Sequence, residues 1–85
     1  MRVLVVEDDA ELADRIAEDL RLSGMVVDIA RDGNEADFMG CTEAYDAAVL
    51  DLGLPGLDGV SVLRSWREHG RDMPVLILTA RGRWS

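Results

Sequence analysis

The sequence has 85 residues, a length that predicts one small domain and leaves no room for a second. Nine Arg residues, no Lys and seventeen Asp and Glu residues give a formal net charge of −8. Such a surface repels the phosphates of nucleic acids and anionic membranes, so we expect no direct binding of this chain to DNA, RNA or a membrane.

The amino-terminal part of the chain predicts a strand followed by a helix. Residues 3–6 are apolar without interruption, which indicates a strand buried on both faces, as in parallel sheets. Residues 10–23 carry apolar side chains at three- and four-residue spacing and predict a helix with one buried face. Asp8 or Asp9 can cap the amino end of this helix, and Gly24 lies where the helix should end.

The central part predicts two further strands with a helix between them. Residues 25–30 predict the second strand, and the sequence Asp-Gly-Asn-Glu at 32–35 has the spacing of a capping box. The helix that begins there is predicted to run through about Met39 or Cys41. Residues 47–51 predict the third strand.

The last part predicts a helix and a fourth strand. The turn-rich run 53–59 leads into a helix that ends near His69, and Pro74 opens the apolar run 75–78. Strands that alternate with helices predict an α/β fold with a doubly wound parallel sheet. The fourth strand is as apolar as the first, so we expect other elements to cover both of its faces. Because only seven residues follow it, we expect residues 1–85 to be an incomplete domain.

Cysteine usage and hydropathy predict a cytoplasmic location. Cys41 has no second cysteine to pair with and is expected to be a small, buried, apolar thiol. The apolar run 3–6 is shorter than the roughly 7 to 15 residues of a signal-peptide core and the roughly 20 of a membrane helix.

Carboxylates follow the predicted strands at the ends where α/β sheets bind ligands. Glu7 and Asp8 come after the first strand, Asp51 ends the third, and Thr79 follows the fourth. The carboxyl ends of parallel strands meet at one edge of the sheet, and several carboxylates there cannot all stay ionised without a cation. Mg²⁺ prefers oxygen ligands. The pattern predicts a Mg²⁺ site with Asp51 as a nucleophile toward phosphorus and Thr79 placed to bind a phosphoryl oxygen.

Three segments together resemble the receiver domains of response regulators in two-component signalling. They are the first strand with its acidic end at 7–9, residues 49–59 around Asp51, and residues 74–80. The sequence around Asp51 is most similar to that of receivers that precede a winged-helix DNA-binding domain in transcription regulators. The resemblance implies a flavodoxin-like sheet with strand order 2-1-3-4 and the family's fifth strand missing.

The resemblance also implies a role for each candidate residue. Asp51 would accept a phosphoryl group from a histidine kinase, and Thr79 would be the switch hydroxyl. Glu7, Asp8, Asp51 and the backbone carbonyl of Gly53 would hold Mg²⁺. The module would act as a signalling switch for transcription regulation and would assist only its own phosphorylation and dephosphorylation, so it is not expected to be an enzyme.

The sequence departs from the family after its fourth predicted strand. Family members continue through a helix, a fifth strand that ends in an invariant Lys, and a final helix, whereas this chain contains no Lys. Arg81 or Arg83 would be a poor substitute for that ammonium group, so phosphorylation is expected to be impaired. The exposed edge and face of residues 75–78 predict a homodimer or a domain-swapped assembly.

Two other functions stay open at this point. One is an inert dimerising fragment of a receiver. The other is a Mg²⁺-dependent phosphohydrolase, although Gly53 stands where such enzymes carry a second catalytic Asp. His69 and the arginines at 64, 67 and 71 are expected on a solvated face and receive no function.

Overall fold

The computed structural model describes residues 1–78, and the expectations for Thr79, Arg81 and Arg83 therefore lie outside the described residues. Strands and helices alternate along the described part as β1 (Arg2–Val6), α1 (Ala10–Leu22), β2 (Val26–Ala30), α2 (Gly33–Thr42), β3 (Ala47–Asp51), α3 (Gly59–Glu68) and β4 (Val75–Leu78). Each predicted element is present, with its ends within a few residues of the predicted ones.

The described strands form one parallel sheet in the order β2-β1-β3-β4. Val5 of β1 lies opposite Ile29 of β2 on one side and Val49 of β3 on the other. This order confirms the predicted doubly wound α/β fold. It also places the ends of β1 and β3 side by side, which matters for the acidic residues that follow β1 and end β3.

The side chains of β1 are buried on both faces of the sheet, as the uninterrupted apolar run predicted. Leu4 packs in a cluster with Leu50 and Trp66, under α2 and α3. Val5 packs in a second cluster with Ala17 of α1, on the opposite face. The sheet therefore lies between two layers of helix, and Glu7 directly follows a strand whose side chains are buried on both faces.

An aspartate caps each helix and sets where it begins. Asp9 accepts a hydrogen bond from the backbone N–H of Leu12 (3.2 Å), and Asp32 and Asp58 do the same for α2 and α3. The sequence left Asp8 and Asp9 as alternative caps for α1. The structure selects Asp9, so the Asp8 carboxylate is not used by the helix.

Helix α2 runs further than predicted because α3 packs directly against its backbone. The indole of Trp66 is fully buried and donates to the Ala36 carbonyl at 3.1 Å. A Cβ at Gly40 would lie only 2.0 Å from the indole Nε1 atom, so this position must be glycine for the two helices to approach so closely. Helix α2 thus stays helical through Gly40 to Thr42, where it packs against α3, despite the low helix propensity of glycine.

Arg71 does not lie on a solvated face as predicted. Its Nη2 atom donates to the Cys41 carbonyl at 2.7 Å, and the side chain is half-buried. Arg64, Arg67 and His69 are exposed, as expected. Cys41 is only half-buried, and burial together with nearby Asp37 raises the pKa of its thiol, which makes it less reactive.

Strand β4 lies at the edge of the described sheet and is only partly covered. Leu76 is 63% exposed and Ile77 is 38% exposed, on opposite faces. An open apolar depression of about 390 Å³, lined by Val3, Val49 and Leu76 among others, adjoins β4 on the α1 side of the sheet. This edge is therefore one of the apolar surfaces that the described residues leave open.

Candidate functional site

Three carboxylates meet at the carboxyl ends of β1 and β3. Glu7 and Asp8 follow β1, Asp51 is the last residue of β3, and one carboxylate oxygen from each lies within 4.8 Å of the other two. Glu7 and Asp51 are each 3% exposed, whereas Asp8 is exposed. The structure thus brings together the three acidic side chains that the strand-end pattern predicted.

Backbone amides two residues further along the chain orient the two buried carboxylates. The N–H of Asp9 donates to Glu7 Oε2 at 3.1 Å, and the N–H of Gly53 donates to Asp51 Oδ1 at 3.1 Å. The N–H of Glu7 itself donates to the Ala30 carbonyl at 3.0 Å and continues the ladder between β1 and β2. Both carboxylates are therefore held by backbone and do not depend on a flexible side chain for their position.

The electrostatics of this cluster favour a bound cation. Burial raises the pKa of Glu7 to about 7, the N–H of Asp9 opposes this shift, and the charge of Asp51 adds to it. Within residues 1–78, no Arg or His nitrogen lies within 4.0 Å of these carboxylates. Buried acids without a cationic partner are unfavourable. Three oxygen donors in this arrangement fit a hard divalent ion such as Mg²⁺.

The loop between β3 and α3 is held against the carboxyl end of β3. The N–H of Gly59 donates to the Leu52 carbonyl at 3.3 Å, and a Cβ at Gly59 would lie 2.6 Å from the Asp51 carbonyl oxygen. Gly53 is fixed beside Asp51 through its N–H. The role predicted for the Gly53 carbonyl stays a prediction, as does that of Thr79, which lies outside the described residues.

One residue that contacts this loop was not among the predicted site residues. Gly33, the first residue of α2, is buried against the backbone of Leu57. A glycine directly after a capping aspartate was the only sign of it in the sequence. Its contact could not be foreseen, because it depends on how close α2 comes to a loop more than twenty residues further along the chain.

Comparison with known proteins gives one family. The response regulator receiver domain matches residues 3–84. The virulence transcriptional regulatory protein PhoP of Salmonella typhimurium is 49% identical to this chain over 84 residues, which are 99% of this chain and 38% of PhoP. The chain therefore spans well under half the length of this relative.

Two solved structures are similar in fold. The receiver domain of the sensor histidine kinase PA1611 from Pseudomonas aeruginosa, solved with a magnesium ion coordinated in its active site cleft, has a TM-score of 0.86 and 38% identity, over 93% of this chain and 66% of that one. The complex of the histidine kinase ThkA with the response regulator TrrA of Thermotoga maritima contains a chain with a TM-score of 0.87 and 31% identity, over 98% of this chain and 72% of that one.

None of the helices within residues 1–78 combines the length and hydropathy needed to cross a bilayer. The strand order, the acidic cluster at the ends of β1 and β3 and the match over residues 3–84 agree with one another. The chain belongs to the response regulator receiver domain family, the signalling modules of two-component systems.

Proposed function

We propose that this chain is the phosphoacceptor module of a two-component response regulator, with Asp51 as the residue that takes a phosphoryl group from a histidine kinase. The observation that carries the proposal is the cluster of Glu7, Asp8 and Asp51, whose oxygens lie within 4.8 Å of one another without a cationic partner among the described residues. Carboxylates this close repel one another when no cation is bound. A metal ion would relieve that repulsion and would also help to bind a phosphoryl group.

The proposed metal ligands are the carboxylates of Glu7, Asp8 and Asp51 and the backbone carbonyl of Gly53. The Mg²⁺-bound receiver domain of PA1611, which has the same fold, supports this proposal. When bound, Mg²⁺ would neutralise charge on the phosphoryl oxygens and on the carboxylates around them. The exposed position of Asp8 suits a ligand at the open side of the site, where a phosphodonor must enter.

Asp51 is the proposed nucleophile. The Gly53 N–H holds Oδ1 at 3.1 Å, which limits rotation of the carboxylate and leaves Oδ2 to attack. In the transfer, a bond forms between an Asp51 oxygen and phosphorus, the bond between phosphorus and the histidine nitrogen of the kinase breaks, and that nitrogen keeps the electron pair. Thr79 is proposed as the switch hydroxyl that then binds the phosphoryl group.

The proposed partner is a histidine kinase, and the proposed output is transcription regulation. The complex of ThkA with TrrA supports the first, and the similarity to PhoP, a transcriptional regulatory protein, supports the second. The chain would assist its own phosphorylation without acting on an outside substrate. Four expectations stay predictions. They are the impairment of phosphorylation by the lack of Lys, the cytoplasmic location, the incompleteness of the domain over residues 1–85, and self-association.

The structure gives less support to a phosphohydrolase. Such an enzyme would need a carboxyl group two positions after the nucleophile, where Gly53 instead presents its backbone N–H to Asp51. The inert fragment is one of the outcomes of a phosphorylation test.

The test is phosphorylation by acetyl phosphate with Mg²⁺, followed by intact mass. We expect the mass of one added phosphoryl group in the wild type and in Asp19→Asn, an exposed control on α1, and none in Asp51→Asn or with EDTA. Binding of Mg²⁺ without labelling would contradict the phosphoacceptor and support the inert fragment. Continuous release of phosphate from unrelated monoesters would support the hydrolase.

A further inference from the structure

The loop that follows Asp51 is held by the amino end of α2 as well as by β3. The N–H of Gly33 donates to the Pro55 carbonyl at 3.2 Å. A Cβ built on Gly33 would lie 1.6 Å from the Leu57 carbonyl oxygen and 2.5 Å from its carbon. The backbones of helix and loop are therefore in direct contact, and only a residue without a side chain permits it.

A second contact joins the same two segments. Gly56, with a φ of +75°, turns the loop beside Asn34, whose Nδ2 atom would lie 2.8 Å from a Cβ at that position. Leu54, in the same loop, is 8% exposed and packs in the core cluster under α2 and α3. The loop is thus fixed to α2 in its middle, while its first residues are fixed to Asp51 through the Gly53 N–H.

We propose that Gly33 is a positioning residue for the metal and phosphoryl site, acting through the Pro55–Leu57 backbone on Gly53. This inference rests on the proposed function. A side chain at position 33 would force the Leu57 carbonyl and the helix apart by roughly 1.4 Å to restore a 3.0 Å contact. Gly53 lies only a few residues before that point. A displacement of about 1 Å in groups that position a reaction can lower its rate by about 100-fold.

The first test compares two glycine variants within α2, Gly33→Ala and Gly40→Ala. Both introduce a methyl group at a buried position of the same helix, but Gly40 faces the Trp66 ring and not the loop. The measurements are Mg²⁺ affinity by calorimetry, the initial rate of labelling by acetyl phosphate, and the amide resonance of Gly53 in the metal-free protein. All are made at a temperature where circular dichroism shows each variant folded.

We expect Gly33→Ala to lower the Mg²⁺ affinity and the labelling rate by about tenfold or more and to shift the Gly53 amide resonance. Gly40→Ala should keep both quantities within about twofold of the wild type when folded. A merely structural role of Gly33 would lower the stability of the variant without lowering the Mg²⁺ affinity of its folded state. Wild-type Mg²⁺ affinity in folded Gly33→Ala, or a loss of affinity with an unmoved Gly53 resonance, would overturn the inference.

A second pair keeps the test decisive where the buried variants do not fold. Gly56→Ala and Gly70→Ala introduce the same side chain at the same φ of +75°, so both variants carry backbone strain. A Cβ at Gly56 would lie 2.8 Å from Asn34 Nδ2, whereas a Cβ at Gly70 would have nothing within 4 Å among residues 1–78. We expect equal Mg²⁺ affinities in the two variants, because the exposed Asn34 side chain can move aside and the proposed coupling passes through the backbone at Gly33. A loss of affinity in Gly56→Ala alone would show that the loop is positioned through Asn34 and would overturn the role of Gly33.

The same experiments separate this inference from the proposed function. If the wild type neither binds Mg²⁺ nor becomes labelled, the proposed function is wrong, and the inference falls with it. If the wild type does both and Gly33→Ala matches Gly40→Ala, only the role of Gly33 is wrong.

Discussion

Replacing Glu7 with Gln should make the metal-free protein more stable at high pH while weakening its affinity for Mg²⁺. Glu7 is 3% exposed, and burial and the nearby Asp51 raise the pKa of its carboxyl group from 4.5 to about 7. An acid whose pKa is raised by folding contributes stability below its unfolded value and loses it as the pH rises through its folded value. The folded protein must therefore carry an unfavourable charge above pH 7.

The size of the effect follows from the pKa shift. One unit corresponds to about 1.4 kcal/mol. Because Glu7 ionises more easily in the unfolded chain than in the folded one, its titration lowers the free energy of unfolding by about 3 kcal/mol at pH 8 and by about 1 kcal/mol at pH 5. Gln keeps the shape and can still accept the hydrogen bond from the Asp9 N–H. In a domain of this size, 1 kcal/mol changes the melting temperature by about 4 to 8 °C. We expect Glu7→Gln to melt about 12 to 24 °C higher than the wild type at pH 8 in EDTA.

The assay is thermal unfolding by circular dichroism, in EDTA and in excess Mg²⁺, at pH 5 and pH 8. Glu18→Gln, an exposed position on α1, makes the same chemical change away from the site and should leave the melting temperature unchanged. Mg²⁺ should raise the melting temperature of the wild type more at pH 8 than at pH 5, since binding requires ionised carboxylates. It should raise that of Glu7→Gln much less.

Two results would refute this reasoning. One is a difference between Glu7→Gln and wild type that is the same at both pH values, because the effect would then not come from ionisation of Glu7. The other is a loss of stability in Glu7→Gln at pH 8 in EDTA, which would mean that the carboxylates already have a favourable partner in the metal-free protein.

Three further predictions concern the fold around the site. Trp66→Phe removes the hydrogen bond to the Ala36 carbonyl and part of the buried ring, and should lower the free energy of unfolding in urea by about 2 kcal/mol; an unchanged urea midpoint would contradict the packing described. The pKa of Asp28 lies below its ordinary value. The hydrogen bond from the Tyr45 hydroxyl is the largest cause, Arg2 lowers the pKa further, and burial opposes both. The stability from Asp28 is therefore fully present above its ordinary pKa and lost as the pH falls through its lowered pKa, so Asp28→Asn should cost about 1 kcal/mol at pH 7 and progressively less as the pH falls, measured by urea unfolding. Leu76→Arg places a charge on the open edge and should reduce self-association in light scattering, whereas a wild type that is monomeric throughout would show the predicted assembly to be absent.

The acidic cluster was predictable because two simple patterns meet in it. The apolar runs at 3–6 and 47–51 indicated buried parallel strands, and such strands end at the same edge of the sheet. Glu7 and Asp51 therefore had to come close, whatever the details of the loops. The helix caps at Asp32 and Asp58 were predictable for a similar reason, since each depends only on residues three positions away.

The buried face of α2 was not predictable from apolar periodicity. Phe38, the largest apolar side chain of α2, is 69% exposed, whereas the helix buries Gly33, Ala36 and Gly40. These small residues contribute little hydrophobicity, and their value lies in the close approach they allow to Trp66 and to the loop after β3. Such contacts depend on the distance between elements far apart in sequence, which no local pattern records.

The central position of β1 in the sheet has a consequence for synthesis of the protein. β1 is made first, but it pairs with both β2 and β3, and β3 ends at Asp51. At about 5 to 20 residues per second, a ribosome needs about 2 to 9 s to add the 45 residues between the end of β1 and the end of β3. Until β3 has been made, β1 therefore lacks the partner for one of its two edges.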